Sequence, residues 1–176
     1  MSNRRENQAL MDKLRPGDIV KFRRDAMYCH FALYIGNGRV IHLTSSNPAT
    51  FNSSSKGALS AAGLPVDIGN VSEDDFFEVA ADSKAELANW DEKSPYSEAE
   101  IVKRAKAKIG PAKYSIETYN CEHFVNEIKY GKPVSKQVDS AKQVGKFAAF
   151  TAAVSASLYL VNNQKGKGKE KEASNK

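Results

Sequence analysis

Cys29-His30-Phe31-Ala32-Leu33-Tyr34-Ile35-Gly36-Asn37-Gly38-Arg39-Val40-Ile41-His42-Leu43 is the stretch that decides the fold. Apolar and β-branched residues flank Gly36-Asn37-Gly38, which predicts two strands, His30 to Ile35 and Arg39 to Leu43, closed by a tight turn. The register of this hairpin has a chemical consequence. A two-residue turn at Asn37-Gly38 pairs Leu33 with His42 and sends His30 and His42 to opposite faces. A three-residue loop pairs Ala32 with His42 and leaves His30 diagonally across, roughly 7 Å away at Cβ. If the two histidines cooperate, the odd-length loop is the one expected.

The second informative stretch is Asn120-Cys121-Glu122-His123-Phe124-Val125. Asn120 is a good N-cap, Tyr119 is placed to staple onto Phe124, and Phe124, Val125 and Ile128 form one apolar stripe. A helix beginning near Cys121 and ending at Gly131-Lys132-Pro133 follows. Elsewhere, Arg15-Pro16-Gly17-Asp18 signals a turn before a short strand, Ile19 to Phe22. Phe76-Phe77-Glu78-Val79 reads as a further strand, and residues 80–95 as polar connection in which Trp90 serves packing. Ser97-Glu98-Ala99-Glu100 is a capping-box pattern, and the helix behind it stops at Gly110-Pro111. Residues 44–64, rich in Ser, Asn, Ala and Gly, form a surface excursion, either a flap over a site or a tolerated insertion.

With 176 residues, 41% of them hydrophobic, the chain has material for one cored domain and a tail. Five lysines and two glutamates between Lys165 and Lys176 account for +3 of the formal +5 charge. The body is nearly balanced, which argues against a nucleic-acid partner. Two cysteines and no apolar run at the N-terminus give no disulfide framework and no secretory signal, so a reducing compartment is the default. There is no CxxC pair and no zinc-type spacing, and no cofactor or metal is expected.

Lys129, Lys132, Lys136, Lys142 and Lys146 precede the uncharged run Phe147 to Val161, which continues through Gln164. Fifteen helical residues reach roughly 22 Å, short of a hydrocarbon core of about 30 Å unless flanking residues are recruited. The leading expectation is a single-pass C-terminal membrane anchor, with an interfacial helix or a helix packed on the domain as the alternatives. The division expected is a polar arm (1–12), a catalytic domain (13–131), a basic juxtamembrane segment (132–146), a hydrophobic anchor (147–164) and a lysine-rich disordered tail (165–176).

Cys121 falls at the first helical position, where free backbone amides and the positive end of the helix dipole favour a thiolate. A lowered thiol pKa is therefore expected, with a histidine to take the proton. The plain alternative is a buried structural cysteine. Two of the three histidines lie on the hairpin, so His30 is the candidate base and His42 its orienting partner. His123, about 200° around the helix from Cys121, is a structural residue in this reading. Cys29 is not catalytic, and Tyr28 and Tyr34 are candidate pocket residues. The Cys121 amide is the candidate oxyanion donor, and no second donor is evident.

These motifs resemble those of the lecithin retinol acyltransferase-like superfamily, within it the small H-rev107-type phospholipase A/acyltransferases. The N-C-E-H-F-V motif stands intact at Asn120 to Val125. The family's H-W-A-I-Y-V-G-like segment corresponds to His30 through Gly36, with Phe31 in place of tryptophan, and its V-V-H-L-like segment to Val40 through Leu43. The resemblance implies an α+β, circularly permuted papain-like (NlpC/P60-like) antiparallel sheet packed with helices, plus a C-terminal hydrophobic helix. It also implies Cys121 as nucleophile, His30 as base and His42 as third member. The activity implied is calcium-independent phospholipase A1/A2 hydrolysis and acyl transfer from glycerophospholipids, with phosphatidylethanolamine as an acceptor. Membrane contact through the C-terminal helix and lysines would place the chain on the cytoplasmic face of intracellular membranes. The alternatives are a retinol-type O-acyltransferase, a non-catalytic membrane-bound interaction protein and a cysteine peptidase.

Overall fold

The computed structural model describes residues 2–26, 28–45, 67–146 and 148–157. Six strands form one antiparallel sheet. They are β1 (Ile19–Arg23), β2 (Cys29–Gly36), β3 (Arg39–Ser45), β4 (Asp67–Asp75), β5 (Lys84–Leu87) and β6 (Gly110–Tyr114), in the order β5-β1-β2-β3-β4-β6. The helices are α1 (Ser2–Met11), α2 (Phe76–Ala80), α3 (Glu98–Lys106), α4 (Cys121–Tyr130) and α5 (Lys136–Gln143), followed by a helical segment over 148–157, here α6. This is an α+β fold.

The central strands are apolar on both faces because both faces are covered. Ile19, Phe31, Leu33, Ile41 and Leu43 pack in one cluster with Ile101 of α3, Phe124, Val125 and Ile128 of α4, and Val138 of α5. Val20, Ala32, Tyr34 and Val40 alternate to the other face and join Phe76, Val79 and Ala80 of α2, with Leu10 and Met11 of α1 against them.

The hairpin combines the two registers weighed from sequence. Asn37 and Gly38 both have positive φ, 53° and 69°, the signature of a two-residue turn with inverted backbone twist. Gly36 pairs with Arg39, yet a bulge between Tyr34 and Gly36 shifts the ladder so that Tyr34 pairs with Val40 and Leu33 with Ile41. The loop is shorter than expected. The bulge restores the parity that keeps Ala32 and His42 in register.

Three expectations about elements are corrected. Phe76 to Val79 is helical, not a strand, because the Asp75 side chain accepts hydrogen bonds from the Phe77 and Glu78 amides and caps α2. The expected connection over 80–95 contains β5, which pairs with β1. The helix expected to run to Gly110-Pro111 ends at Lys106 with its C-cap at Ala107, and Gly110 and Pro111 instead open β6, which pairs with β4.

The membrane anchor over 147–164 is the largest correction. Among the described residues no helix is long and apolar enough to cross a membrane. Residues 148–157 bury Phe150 and Val154, each 1% exposed, in the same cluster as α4. The Phe150 ring meets Tyr28 edge-on at 6.3 Å. Thr151 and Ser155 donate to the carbonyls of Ala148 and Thr151 within the helix. Among the described residues of this run, Phe150 and Val154 are taken up by the protein's own core. With the anchor go the transmembrane helix, the membrane contact through it and the single-pass location on the cytoplasmic face of intracellular membranes. The remainder of 147–164, the tail 165–176 and most of the 44–64 excursion lie outside the described residues.

Candidate active site

The N-terminus of α4 is built by local sequence. The Asn120 side chain accepts from the amides of Glu122 and His123, while His123 Nδ1 accepts from the Asn120 amide at 3.2 Å, a reciprocal capping box. His123 is thereby engaged in the cap, with its ring stacked on Tyr119 at 6.5 Å, and burial, the largest influence, pulls its pKa down to about 4. Glu122 turns inward to accept from Ser135 Oγ at 2.6 Å and from the Gln137 amide at 3.1 Å, which ties α4 to the start of α5. Burial pushes its carboxyl up from the usual range. Gly131, at φ 71°, closes the helix in a left-handed cap.

This cap delivers Cys121 to the centre of the molecule, fully buried. The structure brings together all three residues singled out from sequence. His30 Nε2 lies 2.7 Å from His42 Nδ1, and the two rings meet nearly at right angles. The Tyr28 hydroxyl lies 3.4 Å from His30 Nδ1 and 3.6 Å from Cys121 Sγ, so one phenol touches both the thiol and the imidazole. Beyond His42, Nε2 meets Asp74 Oδ2 at 2.7 Å, and Ser72 Oγ donates to the same carboxylate oxygen at 2.8 Å. Cys29 lies apart, half-buried, with its backbone bonded to the Gln137 amide group.

The expected lowering of the thiol pKa does not occur. Burial pushes Cys121 up to about 11, against the opposing pull of hydrogen bonds from the Phe31 backbone and the Tyr28 hydroxyl. The helix terminus is present, but complete loss of solvent outweighs it. Tyr28 is likewise raised well above its ordinary value by burial, then by the neighbouring thiol, so the phenol keeps its proton.

Two site residues were missed or under-read in the sequence. Tyr28 was a pocket candidate only, although its place two residues before His30 puts it beside the strand end. Asp74 gave no signal, since a carboxylate in the run Glu73-Asp74-Asp75 looks like a solvated surface. Each of the three in fact has a separate partner: Glu73 pairs with Arg39 at 3.2 Å, Asp74 with His42, and Asp75 caps α2. The arrangement sets a thiol and an imidazole against one phenol, with the far nitrogen of that imidazole held by a second imidazole.

A buried thiol at a helix start, served by two strand histidines, places the chain among cysteine–histidine proteins on an α+β frame. A comparison with family models narrows this, as the model for lecithin retinol acyltransferase matches residues 12–134. Mouse phospholipase A and acyltransferase 3 is 35% identical over 158 residues, covering 87% of this chain and 94% of that protein. Human phospholipase A and acyltransferase 4 is 37% identical over 133 residues, 73% of this chain and 77% of that one. Rat lecithin retinol acyltransferase is 28% identical over 141 residues, 74% and 60% respectively. The chain belongs to the lecithin retinol acyltransferase family, on the side of the phospholipase A and acyltransferase proteins.

Proposed function

We propose that the chain is a thiol-dependent phospholipase A/acyltransferase that moves a fatty acyl group from a glycerophospholipid through a thioester on Cys121. The acceptor is water, which gives phospholipase A1/A2 hydrolysis, or an amine such as that of phosphatidylethanolamine. The observation that carries this reading is the Tyr28 hydroxyl in contact with both Cys121 Sγ and His30 Nδ1, with His30 Nε2 on His42.

In the first step the Cys121 proton passes to His30 Nδ1 as sulfur attacks the ester carbonyl. With a resting thiol near 11, transfer is coupled to attack and no standing thiolate is needed. The Cys121 amide at the helix start and the Tyr28 hydroxyl are the two donors for the developing oxyanion. Collapse expels the lysophospholipid, protonated by His30, and leaves the acyl thioester. In the second step water or an amine loses its proton to His30, attacks the thioester, and the thiol is restored. In this reading the enzyme is calcium-independent, because the thiol, the imidazole, the phenol and the Cys121 backbone amide supply each proton transfer and charge contact that the steps use. The circularly permuted papain-like arrangement belongs to the same proposal, supported by histidine strands that precede the cysteine helix in the chain.

Intact-protein mass spectrometry tests it. The protein is exposed to mixed-chain phosphatidylcholine vesicles with or without phosphatidylethanolamine, and Cys121→Ala is run in parallel. A hydroxylamine-sensitive acyl mass on the wild type alone, with lysophospholipid released, is the expected result. No adduct and no lysophospholipid beyond the Cys121→Ala background would overturn the reading. A retinol arm measures whether an alcohol also accepts, as the similarity to rat lecithin retinol acyltransferase invites.

A further inference from the structure

We infer that Asp74 is a positioning residue that fixes the tautomers of both histidines and so leaves His30 Nδ1 unprotonated and able to accept a proton. The inference deepens the acyl-transfer reading and rests on it for its catalytic consequence, whereas the tautomer assignment stands on geometry.

An ionised carboxylate has no proton to donate, so it accepts every hydrogen bond it makes. Asp74, with a side chain 22% exposed, keeps access to water and receives Ser72 Oγ at 2.8 Å. His42 Nε2, 2.7 Å from the same oxygen, must then be the donor. A neutral imidazole protonated at Nε2 carries no proton at Nδ1. His42 Nδ1 is therefore an acceptor, and the 2.7 Å contact makes His30 Nε2 its donor. The same rule leaves His30 Nδ1 unprotonated on the side of Tyr28 and Cys121. One acceptor-only group thus sets the direction of two successive hydrogen bonds and selects the base nitrogen.

The placement also suits the charged intermediate. His30 and His42 are 4% and 3% exposed, so an imidazolium formed there lacks solvent. When His30 takes the thiol proton, its Nε2–H stays on His42, whose own Nε2–H stays on Asp74. A negative charge two hydrogen bonds away balances the positive one without a second proton moving. Among neighbouring charges, Glu73 is tied to Arg39 and Asp75 to the start of α2, so neither substitutes for Asp74.

The substitution Asp74→Asn is nearly isosteric, but an amide can face His42 with either its oxygen or its NH2, so the direction is no longer imposed. The test uses two-bond proton–nitrogen spectra of the full chain labelled with ¹⁵N-histidine, for wild type and Asp74→Asn, together with steady-state acyl-transfer kinetics. His123 is an internal reference, because its Nδ1 accepts from the Asn120 amide. In the wild type all three rings are expected as Nε2–H tautomers. In Asp74→Asn, His30 is expected to shift toward Nδ1–H, with kcat lower by about 10²-fold and KM within about twofold. A wild-type His42 protonated at Nδ1 overturns the inference even if the variant fails to fold. A folded Asp74→Asn that keeps His30 as Nε2–H also overturns it. Tautomers that shift as stated in a protein that transfers no acyl group would remove the acyl-transfer reading and leave the positioning role of Asp74 intact.

Discussion

At Cys121 the free helix terminus and burial act in opposite directions, and burial is the larger, which holds the thiol near 11. The two residues that follow carry opposed pH signatures of their own. His123 is held down to about 4 from 6.5, so the unfolded chain binds the extra proton in that window. Its contribution is complete above pH 6.5 and is lost as pH falls toward 4, a loss of up to about 3 kcal/mol. His123→Gln should flatten that part of a urea-denaturation series run from pH 7 to 4. Glu122 is displaced upward, so the folded state holds its proton more tightly than the unfolded one. Stability from this group is present below its unfolded pKa near 4.5 and is lost as pH rises through the folded value. Glu122→Gln, which keeps an acceptor for Ser135, should therefore gain stability relative to wild type between pH 5 and 7. Equal midpoints across that range would contradict the burial argument.

Among the elements, α6 is the one whose removal should be felt most at the thiol. Phe150 covers the ring of Tyr28, and Tyr28 touches Cys121. Phe150→Ala should cost about 3 kcal/mol in chemical denaturation and speed alkylation of Cys121 by at least about tenfold. Unchanged alkylation with the stability loss would mean that α6 covers the core but not the thiol. The elements legible in sequence were those fixed by local chemistry. Asn120 caps α4, Ser97 caps α3, Gly131 terminates α4, and Asn37-Gly38 turns the hairpin. The elements missed owe their form to distant partners. β6 contains Gly110 and Pro111 and exists because β4 offers it a ladder, and the acidic run at 73–75 gains meaning only from Arg39, His42 and α2. The apolar run after Lys146 was legible as apolar, but sequence alone did not say whether lipid or the core would receive it. His30 and His42 were legible as a pair through strand parity, whereas Asp74, 32 residues beyond His42, was not.

Across the whole molecule, Lys129 joins three segments that are distant in the chain. Its Nζ lies 2.6 Å from Asn89 Oδ1 and 3.7 Å from Asp18 Oδ1, and Asn89 Oδ1 also accepts from the Ile19 amide. Lys129→Met leaves the mostly buried Asp18 carboxylate without that cation and should cost about 3 kcal/mol. Trp90, stacked on Tyr130 at 4.5 Å next along the chain, is the single tryptophan and reports the transition by fluorescence.

An open sheet also has two margins, and each end of the strand order here has its own protection. β5 is four residues long, carries Lys84 and Glu86, and has Asn7 of α1 donating to the Ser83 carbonyl and accepting from the Ala85 amide. β6 begins Gly110-Pro111, and proline offers no amide to an incoming strand. These devices keep chain from adding to chain at high concentration. Pro111→Thr would restore a donor and raise the β propensity of that margin, and static light scattering during concentration should then show self-association that the parent chain resists. The proline that helped hide β6 in the sequence is also what keeps the sheet from growing.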